Sequence, residues 1–152
     1  MRPFAKLFLG VILSGLGLEV GAQWNLVQNA TQQSPTCIRL TNAINIQRGA
    51  AWHDCQIHLG AEFDLEFTVN LGTNNGGADG MCFVLQQEGN VGNNLIGGNG
   101  GDIGYTGSPF IPSVAVEIDT YQNGDVGDPS FDHIAIQSNG STTHNLSPAC
   151  LL

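Results

Sequence analysis

The residues of this 152-residue chain best suited to chemistry fall within one stretch: Glu117, Asp119, Tyr121, Asn123, Asp128 and His133. In an extended strand, side chains two positions apart share a face and stand about 6.5–7 Å apart. Glu117, Asp119 and Tyr121 are therefore expected to point one way, while Val116 and Ile118 point into a core. Neighbouring carboxylates repel, and burial raises their pKa unless a cation neutralises them. Asn123, Asp128 and His133 follow in a glycine-containing loop able to fold back over the strand. Carboxylates, an amide oxygen and a backbone carbonyl suit Ca2+, which takes roughly six to eight oxygen ligands. Two or three carboxylates with one imidazole suit Mn2+ or a similar transition ion. Asp119, in the middle of the set, could bridge two ions about 4 Å apart. Asp, Asn and Gly are also ordinary turn formers, so residue types alone leave two readings, a paired metal site or a plain loop.

The elements that must position these residues read as short strands. Residues 61–69 alternate apolar and polar side chains strictly, the period of a half-buried strand. Residues 81–85 form a continuous apolar run suited to a strand buried on both faces, and 114–119 and 133–136 are further strand candidates. Asn74-Asn75-Gly76-Gly77, Gly97-Gly98-Asn99-Gly100-Gly101 and Asn123-Gly124-Asp125 are turn or loop chemistry. No stretch after Ala22 carries a helical period, and an all-β sandwich is expected.

Residues 1–22 have the layout of a signal peptide: Arg2 and Lys6, an apolar run from Leu7 to Leu18, and small residues ending at Ala22. That run is too short for a membrane span, which needs about 20 residues. A secreted or cell-surface protein is expected, with one domain over residues 23–152. Of the 13 acidic residues only Glu19 lies in the leader, and only Arg39 and Arg48 oppose the rest. So acidic a chain has no electrostatic footprint for nucleic acid or anionic membranes. A hydrophobic share of 41% is ample for a core. Among the cysteines, spacing suggests pairing Cys37 with Cys55 and leaves Cys82 as a candidate buried free thiol. His53, His58 and His144 have no carboxylate at useful spacing and read as surface or packing residues. The chain stops in an apolar segment with no closing turn, where a sandwich cut in mid-sheet would leave unpaired edges.

The stretch from Glu117 resembles the metal-binding strand and loop of legume lectins, including concanavalin-like proteins and their bacterial secreted relatives. In that family Glu, Asp, an aromatic residue, Asn, Asp and His stand at offsets 0, 2, 4, 6, 11 and 16, the offsets of Glu117, Asp119, Tyr121, Asn123, Asp128 and His133 here. Ala78-Asp79-Gly80 resembles the family's Ala-Asp-Gly strand opening, and Gly100-Gly101-Asp102-Ile103-Gly104-Tyr105 its glycine loop. The resemblance covers roughly residues 24–145. It implies a jelly-roll sandwich of antiparallel sheets, incomplete at the C-terminus. It also implies a transition-ion site of Glu117, Asp119, Asp128 and His133, and a calcium site of Asp119, the Tyr121 carbonyl, Asn123 and Asp128. A cis Ala78–Asp79 peptide and sugar affinity that is lost with the metal are implied too. Asp79 would accept hydrogen bonds from sugar hydroxyls, Asn123 and the Gly101 N–H would donate them, and the Tyr121 ring could supply an apolar platform. Each such bond nets only about 1 kcal/mol against water, so weak single-site affinity for glycans or glycoconjugates is expected, with multivalency from a homo-oligomer or a larger multidomain chain. Asp102 departs from the aromatic or apolar residue usual in the glycine loop, and Cys82 is unusual beside the sugar strand.

Three rival readings use the same residues. Laminarinase-like glycoside hydrolases carry Glu-x-Asp followed by a second Glu on one strand, but Tyr121 and Gln122 occupy the positions that Glu would need. An EF-hand would need a bidentate Glu where Ser130 stands. An adhesive or structural sandwich that no longer binds sugar is the third, because a fold does not guarantee its function.

Overall fold

The computed structural model describes residues 24–87, 95–107 and 110–144. The leader at 1–22 and Cys150 lie outside them. The described chain is all-β and antiparallel. Strands β1 (Trp24–Gln28) and β4 (Gly49–His53) pair, as do β2 (Thr31–Ser34) and β3 (Cys37–Arg39). The third sheet, in the order β5-β6-β7, is built from β5 (Gly80–Gln86), β6 (Ser113–Asp119) and β7 (His133–Ser138).

The register of that sheet places Cys82, Glu117 and Ala135 on one rung and Gly80, Asp119 and His133 on another. Alternation along β6 and β7 is strict: Ser113, Ala115, Glu117 and Asp119, with His133, Ala135 and Gln137, are buried, while the residues between them are half-buried or exposed. The expectation for β6 is thereby corrected. The carboxylate face is the buried one, and Val116 and Ile118 stand only half-buried on the other. The reason is that the carboxylate face carries the core of Leu95, Tyr105, Phe110 and Ala115, with Trp52, Cys82 and Val84 against it. On the opposite face Val114, Ile134 and Ile136 remain about half exposed. β5 is likewise half-buried throughout rather than buried on both sides.

Residues 61–69 form no strand. Phe63, Leu65 and Phe67 stay about half exposed. An alternating pattern supplies a face, but a strand also needs a hydrogen-bonded neighbour, and none among the described residues takes that place. Phe67 nevertheless stacks on Phe83 of β5, with centroids 5.1 Å apart. Cys37 and Cys55 are free and exposed. They belong to different strand pairs, β2–β3 and the end of β1–β4, so the suggested pairing does not form. Cys82 is a free, half-buried thiol, as expected.

Two contacts tie the β1–β4 pair to the glycine-rich loop. The Trp52 indole N–H donates to the Leu95 carbonyl at 2.8 Å, and the Arg48 guanidinium to the Gly97 carbonyl at 2.8 Å. Tyr105 then fills the core with no exposed surface, stacks on Phe110 and hydrogen-bonds Ser113 at 2.7 Å. Because Tyr105 joins the loop to β6, Tyr105→Ala should lower stability by about 3–5 kcal/mol. Tyr105→Phe, which removes only the hydroxyl contact, should cost about 1 kcal/mol. Urea denaturation of both variants checks the two values.

Candidate functional site

The site lies at the end of the three-stranded sheet where β5 begins, β6 ends and β7 begins. Asp79 directly precedes β5. Its carbonyl accepts the Thr120 N–H at 2.9 Å and the Thr120 hydroxyl at 3.1 Å. The strand can start this close to β6 because residue 80 is glycine, where a Cβ would run into the Ile118 carbonyl oxygen. The Ala78–Asp79 peptide is cis. Beyond β6 the chain turns back on itself. The Tyr121 N–H donates to Asp119 Oδ1 at 2.7 Å, and the Asn123 N–H to Asp128 Oδ2 at 2.7 Å. These two bonds fold the 121–128 loop over the strand end, as its composition suggests.

Two neighbourhoods result. In the outer one, the Asp79 carboxylate is hydrogen-bonded to the Asn123 side chain. A carboxylate only accepts, so the Asn123 amide NH2 is the donor, and its carbonyl Oδ1 is left buried without a partner. The Gly100–Asp102 turn packs against this pair. A Cβ on Gly101 would lie 2.7 Å from both the Cγ and the Nδ2 of Asn123, so glycine is what allows the close approach. A cleft of about 200 Å³ opens here, lined by Asn99, Gly101, Asp102, Asn123, Asp125 and Val126. Asp79, Gly101 and Asn123 are thus brought together. Tyr121 stands next to them in sequence but outside that lining, half exposed to solvent.

The inner neighbourhood holds the remaining predicted ligands. Glu117 has no exposed surface, and Asp119, Asp128 and His133 are at most 8% exposed. Donor atoms of Asp119, Asp128 and His133 lie within 4.8 Å of one another. A second group within the same limit is Glu117, His133 and His144. His144 corrects the sequence reading, which put it among surface or packing residues. Its side chain is 9% exposed, and its Nε2 lies 3.2 Å from Glu117 Oε2, 3.4 Å from Asp128 Oδ1 and 3.1 Å from His133 Nε2. His53 and His58, by contrast, are exposed as expected. Gln137 is a second residue the sequence reading missed, and its amide donates to Glu117 Oε2 at 2.6 Å. The available signal was Asn139-Gly140, a dipeptide that favours tight hairpins. Both residues have positive φ, and Ser138 bridges back to Ser141. That reversal returns the chain over β7 and delivers His144, whose N–H donates to the Val126 carbonyl at 2.9 Å.

The electrostatics suit a candidate cation site. Burial pushes the Glu117 carboxyl above its ordinary range, partly offset by the Gln137 amide and the His144 ring. Burial raises Asp119 too, offset by the Tyr121 N–H and reinforced by Asp128. Asp79 is raised by burial against the Asn123 hydrogen bond. The Cys82 thiol, on the rung of Glu117, is pushed far up by burial and then by Glu117 and Asp119. Glu117 Oε1, Asn123 Oδ1 and Asp128 Oδ1 are buried with no hydrogen-bond partner. Orphaned acceptors of this kind cost free energy, and a cation satisfies several at once. The donor set fits one: hard oxygens from Asp119, Asn123 and Asp128 on the outer side, and carboxylates with imidazole on the inner side.

Residues 18–149 match the family described as the legume lectin beta-barrel domain. The chain is also similar to the pesticidal crystal protein Cry22Aa of Bacillus thuringiensis, at 36% identity over 113 residues. That alignment takes in 72% of this chain but 15% of the relative, so this chain spans a small part of that protein's length.

Glu117, Asp119 and Asp79 all have carboxyl pKa values raised above those of the unfolded chain. Their contribution to stability is therefore fully present below the unfolded values of 4.5 and 3.8, and it is lost as pH rises through the folded values. Chelator-treated protein should melt at progressively lower temperature as pH rises from about 4.5 towards neutrality. Protein saturated with Ca2+ and a transition ion should not show that fall. Scanning calorimetry across this range is the check, and parallel profiles for the two forms would contradict the cation-site reading.

Proposed function

The chain belongs to the legume-lectin family, and on that premise we propose that it is a secreted, metal-dependent carbohydrate-binding protein that performs no chemistry on its ligand. The observation that carries the proposal is an open cleft lined by the Asn123 amide and the Gly100–Asp102 turn, with the Asp79 carboxylate against both and buried oxygens without a partner behind. A sugar presents hydroxyls that donate and accept at once. Asp79 offers acceptors, while the Asn123 amide and the Gly101 N–H offer donors. The half-exposed Tyr121 ring is available for the apolar face of the sugar.

Calcium would be held by Asp119, the Tyr121 carbonyl, Asn123 and Asp128, and a transition ion by Glu117, Asp119, Asp128 and His133. When bound, these cations supply the positive charge that neutralises the carboxylates and fixes the Asn123 carbonyl. The amide NH2 of Asn123 is then left facing Asp79 and the ligand. This division of one side chain, carbonyl inward and NH2 outward, is supported by its position beside the Asp79 carboxylate and by its buried Oδ1 without a partner.

Binding rather than hydrolysis is favoured by where the acids sit. Glu117 is fully buried, so it cannot reach a sugar in the cleft. Tyr121 and Gln122 stand where a second catalytic Glu would be required. Among the described residues no helix is long and apolar enough to cross a membrane. The leader-like residues 1–22 support export. Glycans or glycoconjugates are the proposed partners, with avidity supplied by oligomerisation or by further domains.

On a glycan array, Asp79→Ala and Asn123→Ala should abolish binding while circular dichroism stays unchanged. Gly101→Ala should do the same, because its methyl group would displace the Asn123 amide. Binding retained by Asp79→Ala would overturn this placement of the sugar site.

A further inference from the structure

The inner site holds more nitrogen than the sequence motif supplies. We infer that His144 is itself a ligand of the transition ion, which makes the site a pocket of two imidazoles with the Glu117, Asp119 and Asp128 carboxylates, selective for a nitrogen-preferring divalent ion such as Zn2+ over Mn2+. This rests on the reading of a metal-dependent site given above and specifies its inner ion.

The geometry carries the argument. Two ligand atoms each about 2.1 Å from one metal ion are about 3.0 Å apart at right angles and about 3.4 Å apart at the tetrahedral angle. The Nε2 of His144 stands 3.1, 3.2 and 3.4 Å from donor atoms of His133, Glu117 and Asp128, three residues from three different segments. Each separation is one that two ligands of a single ion adopt, and donor atoms of Glu117, His133 and His144 lie together within 4.8 Å, with Asp119, Asp128 and His133 forming an adjoining group that shares His133. Two of the three partners are oxygen bearers whose other or same carboxyl oxygen, Glu117 Oε1 and Asp128 Oδ1, is buried without a hydrogen-bond donor.

The ring orientation agrees. His133 Nδ1 lies 3.3 Å from the Phe131 carbonyl, which can only accept, so Nδ1 is the nitrogen that donates there and Nε2 is the one turned towards the cluster. Metal-bound histidines commonly use the second ring nitrogen this way. The position of His144 is fixed by the backbone, through its N–H to the Val126 carbonyl and through Gly127, where a Cβ would lie 3.0 Å from the His144 carbonyl oxygen. Gln137 completes the setting by donating to Glu117 Oε2 at 2.6 Å, which orients that carboxylate beside the two rings. Exchanging an oxygen ligand for a second imidazole favours zinc, copper and nickel over manganese.

The test uses the full chain, stripped with chelator, reloaded with Ca2+ and titrated with Zn2+ or Mn2+ in competition with a chromophoric chelator. His144→Ala should weaken Zn2+ by at least about tenfold while moving Mn2+ by less than about threefold. His144→Asp, which returns an oxygen ligand, should restore tight binding with the preference shifted towards Mn2+. Electron paramagnetic resonance of a Cu2+-loaded sample should count two coordinated imidazoles in the parent and one in each variant. Equal losses of Zn2+ and Mn2+ affinity, or a Cu2+ spectrum with one imidazole in the parent, would overturn the inference. Failure of the sugar-binding reading would show separately, as a metal-loaded parent that binds no glycan while the titrations keep their pattern.

Discussion

Acceptors cannot satisfy one another. Glu117, Asp119 and Asp128 bring three carboxylates, and Asn123 an amide oxygen, into an interior almost closed to water. The fold supplies some relief through the Gln137 amide, the N–H groups of Tyr121 and Asn123, and the His144 ring beside Glu117. Three oxygens are still left without a donor. Protons could fill the deficit, and the upward shifts of Glu117 and Asp119 show that pull. A divalent cation fills it more completely, because one ion meets several oxygens and concentrates the opposite charge where they crowd.

The rest of the architecture is arranged around that crowding. The antiparallel register sets the start of β5, the end of β6 and the start of β7 side by side, so Gly80, Asp119 and His133 share a rung. Loop 121–128 folds over that end through two backbone donors. The hairpin beyond β7 covers it from the other side with His144. The glycine loop arrives anchored by Trp52, Arg48 and Tyr105, and its approach to Asn123 depends on the missing side chain of Gly101. Asn123 links the two neighbourhoods: its carbonyl belongs to the buried oxygens and its NH2 to the open cleft. On the proposed function, this one amide would couple charge neutralisation inside to ligand recognition outside.

Much of this was legible in the residues, for a definite reason. A strand's period of two fixes which side chains share a face, so Glu117 and Asp119 could be grouped without coordinates, and β5, β6 and β7 were readable from their apolar patterns. The resemblance to the legume-lectin motif, with its fixed offsets into the following loop, added Asn123, Asp128 and His133. What the pattern could not give was depth. Val116 and Ile118 are the apolar members of β6, yet the carboxylate face is more buried, because tertiary packing of Tyr105 and Phe110 decides which face is covered. Residues 61–69 have the alternation of a strand but no pairing neighbour among the described residues. His144 was missed because it reaches the site through a chain reversal, and a search by spacing from Glu117 does not see a hairpin. Cys37 and Cys55 failed as a pair for a related reason, since closeness in sequence did not put them in the same strand pair.

On the proposed function, cations bound to the buried oxygens set the geometry of the outer cleft. Isothermal titration calorimetry of a binding glycan into the same preparation in three states tests this most directly: as purified, after chelation to a metal content verified by elemental analysis, and after metal is restored. Heat of binding is expected in the first state, none in the second and full recovery in the third. Undiminished glycan binding by protein shown to be free of metal would contradict it.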